Sequence, residues 1–411
     1  MVDRWPFVRR TPAHPGSTPD PGPRDDPVLD WQHDVHARVF GTPLVAHETV
    51  FVGTCAQSHW DVGCMIAIDT GSGDRKWMSA DEALEIRGTP GLHEGNLYAG
   101  DLDDREYIID RSNGDVLYLD DSQGLTPADG VCPIVRDGLV YTTPFRLEAR
   151  DAETWDTEWS YGGEEDDIVV EEPPAIAEGR VVVPGEQHSG EKIYVGQSHG
   201  MPTHVAEVTP SLQALDAESG AVRWTRILPG RARSPAIQDG VAFVATWGSD
   251  PQGTRVHTVR TCTDEQPVPD TDPVEYREFG TIHAIDLDTG GEYWGEHLDD
   301  PFRTPPAVFR DTVCVGTIAG TVVAFDAATG AQRWETTIND DGDRVLSWPT
   351  IARDTVYVGS QDDALYALDR HDGSVRWRFD TDSAVDSNPS VVGGTVYVGD
   401  NRGTLYAIGG E

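Results

Sequence analysis

Six arginines stand shortly before apolar segments that follow a proline, and their guanidinium groups could bind an anion. The planar guanidinium matches the two oxygens of a carboxylate or a phosphate, so arginines from converging loops would form a strong anion site. The sequence therefore predicts an anion-binding funnel for a small acid or an acidic peptide. The alternative is that each arginine pairs with a nearby carboxylate such as Glu85, Asp341 or Asp343. The six arginines are Arg38, Arg87, Arg231, Arg233, Arg303 and Arg344.

Two cysteines, Cys55 and Cys64, bracket a short segment that contains His59. The pair could form a disulfide, could supply three zinc ligands at best together with His59, or could stay as thiols. A segment with three histidines (188–204) and an acidic segment (262–278) also offer metal-binding side chains, but without the spacing of a regular calcium loop. We therefore predict no metal site, and the Cys55–Cys64 disulfide stays an open alternative.

The composition is strongly acidic, with 71 acidic residues against 31 basic ones and a formal net charge of −40. Such a charge repels phosphates and argues against nucleic acid as a partner. Concentrated salt shortens the Debye length to about 3 Å, which makes this self-repulsion tolerable, so we expect a halophilic protein. The sequence has no long apolar run for a membrane span and no signal peptide at its start. We predict a cytoplasmic protein, with export as the alternative if the start has been trimmed.

The elements that would position these side chains are indicated by a recurring phrase, in which an aspartate is followed at intervals of four residues by a glycine and a tryptophan. The seven aspartates, followed by Gly409 in the same position of the last copy, are 41, 41, 65, 70, 40, 43 and 40 residues apart. A period near 40 without amphipathic helices is typical of a β-propeller with one four-stranded blade per repeat. We interpret the aspartate and glycine as turn residues and the tryptophan as packing between blades. The clearest copies contain Asp69 and Trp77, Asp216 and Trp224, Asp286 and Trp294, Asp326 and Trp334, and Asp369 and Trp377.

Eight proline markers, each before an apolar segment, indicate eight blades. The strand after each proline is assigned to the inside of its blade, and the strand with the tryptophan to the outside. The last copy ends before its tryptophan strand, whereas Trp31 near the start has no copy before it. We therefore predict an all-β, single eight-bladed propeller of four-stranded antiparallel blades over 31–411, closed by an N-terminal strand and preceded by an extended arm over 1–30. The two long spacings predict insertions in blades four and five.

The repeated phrase resembles the PQQ-like (pyrroloquinoline quinone) repeat, whose pattern is YALDxxTGxxxW, in a WD40- or YVTN-like fold. Segment 5–16 also resembles the leader that precedes such domains. This family includes quinoprotein dehydrogenases and also a non-enzymatic propeller of the outer-membrane barrel assembly machinery. The dehydrogenases stack PQQ on a tryptophan and bind Ca²⁺ through a glutamate, an asparagine and an aspartate. The resemblance therefore makes Trp348 a candidate stacking platform on the channel rim, with Asn388 in the equivalent position of the next blade.

The chain departs from the quinoprotein enzymes, because it has no adjacent cysteines and no C-x-x-C-H haem motif. We therefore predict a non-enzymatic binding or scaffold protein with no catalytic residue and no cofactor. Its partner would be a protein or a small anionic ligand at the channel mouth, and the protein itself would be a monomer. The alternative is a PQQ-dependent quinoprotein dehydrogenase, or a degenerate relative of one, that uses PQQ with Ca²⁺.

Overall fold

The chain folds into eight β-sheets, as the repeat count predicts. The structure is a computed structural model that describes residues 9–56, 63–79, 84–101, 105–120, 132–143, 146–163, 168–170, 172–198, 201–248, 256–260, 279–339 and 344–410. Two strands come before the first complete blade, namely β1 (Ser17–Thr18) and β2 (Val28–Asp34). Within the described segments, no helix exists that is long and apolar enough to cross a membrane.

The first four blades each run from an inner strand after the proline to an outer strand with the aromatic ring. Blade 1 contains β3 (Leu44–Ala46), β4 (Thr49–Gly53), β5 (Met65–Asp69) and β6 (Arg75–Met78). Blade 2 contains β7 (Gly91–His93), β8 (Asn96–Gly100), β9 (Glu106–Asp110) and β10 (Val116–Asp120). Blade 3 contains β11 (Ile134–Arg136), β12 (Leu139–Thr142), β13 (Arg146–Asp151) and β14 (Thr157–Gly162). Blade 4 contains β15 (Ile168–Val169), β16 (Ala175–Ala177), β17 (Arg180–Ser198), β18 (Met201–Asp216) and β19 (Val222–Ile227).

The last four blades follow the same order, and all pairs within the four-stranded units are antiparallel. Blade 5 contains β20 (Arg231–Ala232), β21 (Ala236–Gln238), β22 (Val241–Gly248), β24 (Phe279–Asp286) and β25 (Glu292–Leu298), with β23 (Val256–Arg260) in its insertion. Blade 6 contains β26 (Ala307–Phe309), β27 (Thr312–Gly316), β28 (Thr321–Asp326) and β29 (Gln332–Thr337). Blade 7 contains β30 (Thr350–Ala352), β31 (Thr355–Ser360), β32 (Ala364–Asp369) and β33 (Val375–Asp380). Blade 8 contains β34 (Ser390–Val392), β35 (Thr395–Gly399) and β36 (Thr404–Gly409).

The ring is closed by the N-terminal strand, as the position of Trp31 predicts. Strand β2 pairs antiparallel with β36 as the outer strand of blade 8, with Trp31 opposite Ala407. The Trp31 ring lies in a buried cluster that also contains Tyr397 of blade 8 and Tyr357 of blade 7. Because β2 pairs with β36, the outer edge of β36 is covered.

The two insertions meet in one sheet. Strands β17 and β18 form a long hairpin, and β23 from the blade 5 insertion pairs antiparallel with β18. The longer repeat spacings therefore correspond to a shared extension of blades 4 and 5 rather than to two independent loops.

The repeated phrase holds neighbouring blades together through one contact. The Trp334 Nε1–H donates to the backbone oxygen of Arg370 in the next blade at 2.8 Å. Its ring lies against Gly373, where an added Cβ would come within 2.6 Å of the indole. Asp369 accepts the backbone N–H of His371 at 2.7 Å and so shapes that turn. Equivalent tryptophan bonds to the next turn are made by Trp31, Trp77, Trp159, Trp224 and Trp294.

The N-terminal arm lies along the inner edges of blades 4 to 7. The oxygens of Pro12, Ala13, Pro15 and Gly16 accept the backbone N–H groups at the middle of four successive inner strands, namely those of Ile176, Ile237, Val308 and Ile351. Strand β1 then pairs parallel with β30. These N–H groups are on sheet edges and would otherwise lack a partner strand, so the arm satisfies them. Residues 12–18 of the predicted arm therefore form part of the channel wall.

Candidate functional site

The segments that precede the inner strands surround a cavity of about 340 Å³ at the mouth of the channel. Each of the eight blades contributes at least one side chain or backbone segment to its wall. The wall contains four arginines, Arg87, Arg233, Arg303 and Arg344, and two carboxylates, Glu172 and Asp386. Positive groups therefore outnumber negative ones here, although acidic residues outnumber basic ones by more than two to one in the whole chain.

A belt of hydrogen bonds between the residues that precede the prolines holds the mouth in shape. The backbone N–H of Trp348 donates to Asn388 Oδ1 at 2.8 Å, and Asn388 Nδ2 donates to Thr42 Oγ1 at 3.1 Å. The belt continues from the Thr42 N–H to Thr89 Oγ1 at 2.7 Å and from the Thr89 N–H to Cys132 Sγ at 3.2 Å. It joins blades 7, 8, 1, 2 and 3 in turn, so each loop position depends on the next blade.

Aromatic rings and one carboxylate fix three of the mouth arginines. Arg87 lies 4.7 Å from the ring centre of Phe40, and Arg303 lies 4.2 Å from that of Trp247. Arg233 donates from Nη1 to Glu172 Oε1 at 2.6 Å. A cation held on an aromatic face keeps its charge while its rotamers are restricted, which suits recognition of an anion.

The fourth arginine, Arg344, is exposed and forms no ion pair with any residue that the structure describes. Its predicted neighbours Asp341 and Asp343 lie outside the described residues. The other expected carboxylate, Glu85, accepts the backbone N–H of Ala56 at 2.8 Å. Pairing at the mouth therefore involves Glu172, which the sequence analysis did not single out.

Six of the eight candidate residues lie together at the cavity, namely Arg87, Arg233, Arg303, Arg344, Trp348 and Asn388. Arg231 and Arg38 do not line it. Arg231 is paired with Glu186 and lies 5.5 Å from the ring centre of Trp247. Arg38 is exposed, with its guanidinium carbon 6.0 Å from the ring centre of Phe40.

Cys55 and Cys64 are both free, buried thiols, so the disulfide considered from the sequence is not formed in the structure. Desolvation, together with the neighbouring Glu85, raises the pKa of Cys55 to about 11. Burial also raises the pKa of Cys64. A protonated thiol is a poor metal ligand and a poor nucleophile. The third ligand of the zinc hypothesis, His59, lies outside the described residues, as do the side chains of the two other metal-binding segments.

The carboxylates at the mouth do not fit the Ca²⁺ and PQQ of the quinoprotein alternative. Asp386 accepts hydrogen bonds from Gln361 at 3.2 Å and Asn401 at 2.8 Å, and Glu172 is held by Arg233. Both ends of the Asn388 amide are also engaged in the belt. Ca²⁺ needs six to eight oxygen ligands, commonly carboxylates, and no metal-binding cluster of acidic, histidine or cysteine side chains occurs among the described residues.

A family model described as outer membrane protein assembly factor BamB matches residues 26–118 and 278–410, which is more than half of the chain. The matched ranges include the closing strand and leave out the region of the two insertions. No curated protein matches the sequence.

Solved structures share the fold at low sequence identity. BamB from Moraxella catarrhalis is 16% identical, with a TM-score of 0.61 over 93% of this chain and 98% of that chain. Quinohemoprotein alcohol dehydrogenase from Comamonas testosteroni is 13% identical, with a TM-score of 0.56 over 99% of this chain and 81% of that chain. A europium-containing methanol dehydrogenase is 12% identical, with a TM-score of 0.58 over 99% of this chain and 98% of that chain. At these identities the similarity concerns the fold alone.

Proposed function

We propose that this chain, which belongs to the family described as outer membrane protein assembly factor BamB, is a non-enzymatic scaffold that binds carboxylate groups at its channel mouth. The observation that supports this proposal is the convergence of four arginines on one cavity of about 340 Å³. A recessed, positively charged site in a strongly negative protein concentrates a positive electrostatic potential on a small area. It would therefore select an anionic group that presents planar oxygens to a guanidinium fork.

The carboxylate could belong to a small dicarboxylic acid or to an acidic segment of a partner protein. Both present the same group to Arg303 and Arg344, and the cavity volume limits how much of either can enter. The carboxylates and the Asn388 amide at the mouth give no support for a Ca²⁺- and quinone-dependent oxidation. We therefore propose no catalytic step.

Isothermal titration calorimetry with glutarate and with a glutamate-rich peptide tests the proposal. We expect Arg303→Gln and Arg344→Gln each to weaken binding by about tenfold or more, since a charged hydrogen bond contributes about 1.5–3 kcal/mol. Arg38→Gln is the matched control, because Arg38 lies outside the cavity and should bind as the wild type does.

The two probes separate the two sources of the carboxylate. Binding of glutarate alone supports a small-molecule ligand, and binding of the peptide alone supports a protein partner. If neither binds, or if Arg38→Gln weakens binding as much as the cavity variants do, the mouth is not the carboxylate site.

We also propose that the protein is a monomer that works in the cytoplasm of a cell with concentrated salt, as its net charge of −40 favours. Thermal unfolding should then shift to higher temperature as potassium chloride is added. A melting temperature that is highest in dilute buffer would contradict this part of the proposal.

A further inference from the structure

A buried arginine on the N-terminal arm, Arg9, has no counter-charge among the residues that the structure describes. The Arg9 side chain is 2% exposed, and its Nη2 donates to the backbone oxygen of Pro306 in blade 6. Its Nε and Nη1 atoms are buried and have no hydrogen-bond partner. Its guanidinium carbon lies 5.8 Å from the ring centre of Trp348 in blade 7. Among the described residues, no carboxylate is within ion-pair distance of Arg9, and burial lowers its pKa to about 9, so it remains charged at neutral pH.

The neighbouring histidine on the arm is neutral and therefore adds no charge. His14 is completely buried, and its Nδ1 lies 3.1 Å from Ser234 Oγ. The Ser234 hydroxyl donates to the oxygen of Pro173 at 2.7 Å, so Nδ1–H of His14 is the donor to Ser234. Desolvation and the charge of Arg9 lower the pKa of His14 to about 3. Of Arg9 and His14, only Arg9 therefore carries a positive charge at neutral pH.

A buried ion is expected to be paired, because removing an isolated charge from water has a large free-energy cost that hydrogen bonds to neutral groups recover only in part. We propose that the channel binds one chloride ion against the Arg9 guanidinium, where the arm crosses blades 6 and 7. The site is separate from the mouth cavity, because Arg9 does not line that cavity.

Charge and space define the class of the ion. One guanidinium next to a neutral histidine is balanced by one monovalent anion. The backbone of Gly16 lies so close to the Arg9 guanidinium that a Cβ at position 16 would collide with it, which favours a small ion over a polyatomic one. A halide also has no directional lone-pair requirement, so it can accept from whichever guanidinium N–H groups face it.

Bromide substitution tests the position of the ion directly. Crystals of the full chain grown in sodium bromide should give an anomalous difference peak within hydrogen-bond distance of Arg9. If the anomalous map shows no bromide peak next to Arg9, the proposal is wrong. This test uses the wild-type chain, so it does not require any variant to fold.

Thermal unfolding tests the same ion in solution. At equal concentrations of sodium chloride and sodium gluconate, the wild type should melt at the higher temperature in chloride, and Arg9→Met should lose this difference. Arg10→Met is the matched control, since Arg10 is ion-paired with Asp20 and should keep the difference. The double variant Arg303→Gln/Arg344→Gln should also keep it, which separates this site from the mouth. Equal melting in the two salts, or a full difference in Arg9→Met, would show that no chloride is bound there.

Discussion

At the scale of the residue, the glycine of the repeated phrase has two functions. Gly373 adopts a φ of +74°, which favours glycine in the turn after the aspartate. It also provides the flat surface on which Trp334 of the preceding blade lies. The sequence predicts the first function from the turn pattern. The second follows only from the structure, because the ring that requires the glycine is about 40 residues earlier in the chain.

Two glycine-to-alanine variants separate these functions. Gly240 has a φ of +73° and nothing within 4 Å of an added Cβ, so it reports the backbone effect alone. Gly240→Ala should cost about 1–2 kcal/mol, the penalty for a left-handed L-residue. Gly373→Ala should cost about 1–3 kcal/mol more, because the new methyl overlaps the Trp334 ring. Chemical denaturation measures both values, and equal losses would show that the ring contact contributes nothing.

The aspartates of the repeated phrase make the stability of the folded protein depend on pH. Hydrogen bonds from Arg223 and then Ser219 lower the pKa of Asp216 from 3.8 to about 2. A carboxylate with a lowered pKa in the folded state stabilises the protein above its unfolded pKa, and this stabilisation is lost as pH falls through the folded pKa. Asp216→Asn should therefore melt below the wild type at pH 6, and the difference should disappear towards pH 2. Asp239→Asn, at an exposed turn, is the control and should follow the wild-type pH profile.

At the scale of the element, the interface between blades 2 and 3 has an aromatic ring in both the tryptophan position and the glycine position. Blade 2 has Tyr118 in the tryptophan position, and blade 3 has Trp155 in the glycine position. Trp155 stacks on Tyr98 at 5.8 Å between ring centres and contacts Tyr118 at 5.7 Å. It does so with a φ of +65°. A ring from blade 3 thus fills this interface, whereas the other interfaces are filled by a tryptophan of the preceding blade. The positive φ of Trp155 costs some backbone strain.

Restoring the tryptophan and glycine of the other blades tests this interpretation. Trp155→Gly alone removes a nearly buried ring and should destabilise by about 3–5 kcal/mol, less the strain relieved at position 155. Tyr118→Trp in the same chain restores the arrangement of the other blades and should recover at least about 1 kcal/mol as a coupling energy. A double-mutant cycle measured by denaturation gives this coupling energy, and purely additive effects would show that positions 118 and 155 do not depend on each other.

At the scale of the whole molecule, removing residues 1–16 should expose the inner edges of blades 4 to 7. The amides of Ile176, Ile237, Val308 and Ile351 would lose their acceptors on the arm. We expect their hydrogen-exchange protection to fall by about tenfold, as expected for losing about 1.4 kcal/mol per amide. Amides within the β31–β32 ladder are the internal control. A uniform change across all amides would indicate global destabilisation instead.

The ring could be predicted from the sequence, whereas the path of the arm could not. Each blade repeats the same proline, aspartate and tryptophan, and the lone Trp31 predicts the closing strand correctly. The arm pairs with the inner strands through backbone oxygens such as those of Pro12 and Gly16, and these leave no pattern of side-chain types. The mouth is an intermediate case. Its arginines are visible in the sequence, but the partner of Arg233 and the belt through Asn388 depend on loops from different blades.

The pairing of β2 with β36 also determines when this protein can finish folding during its synthesis. A ribosome adding 5–20 residues per second delivers the partner strand roughly 20–75 s after β2 has been made. Through that interval β2 carries the exposed apolar side chains of Val28 and Leu29 on an unpaired strand. The ring therefore cannot close before residues 404–409 have been synthesised, and until then β2 and β35 each keep an unpaired strand edge.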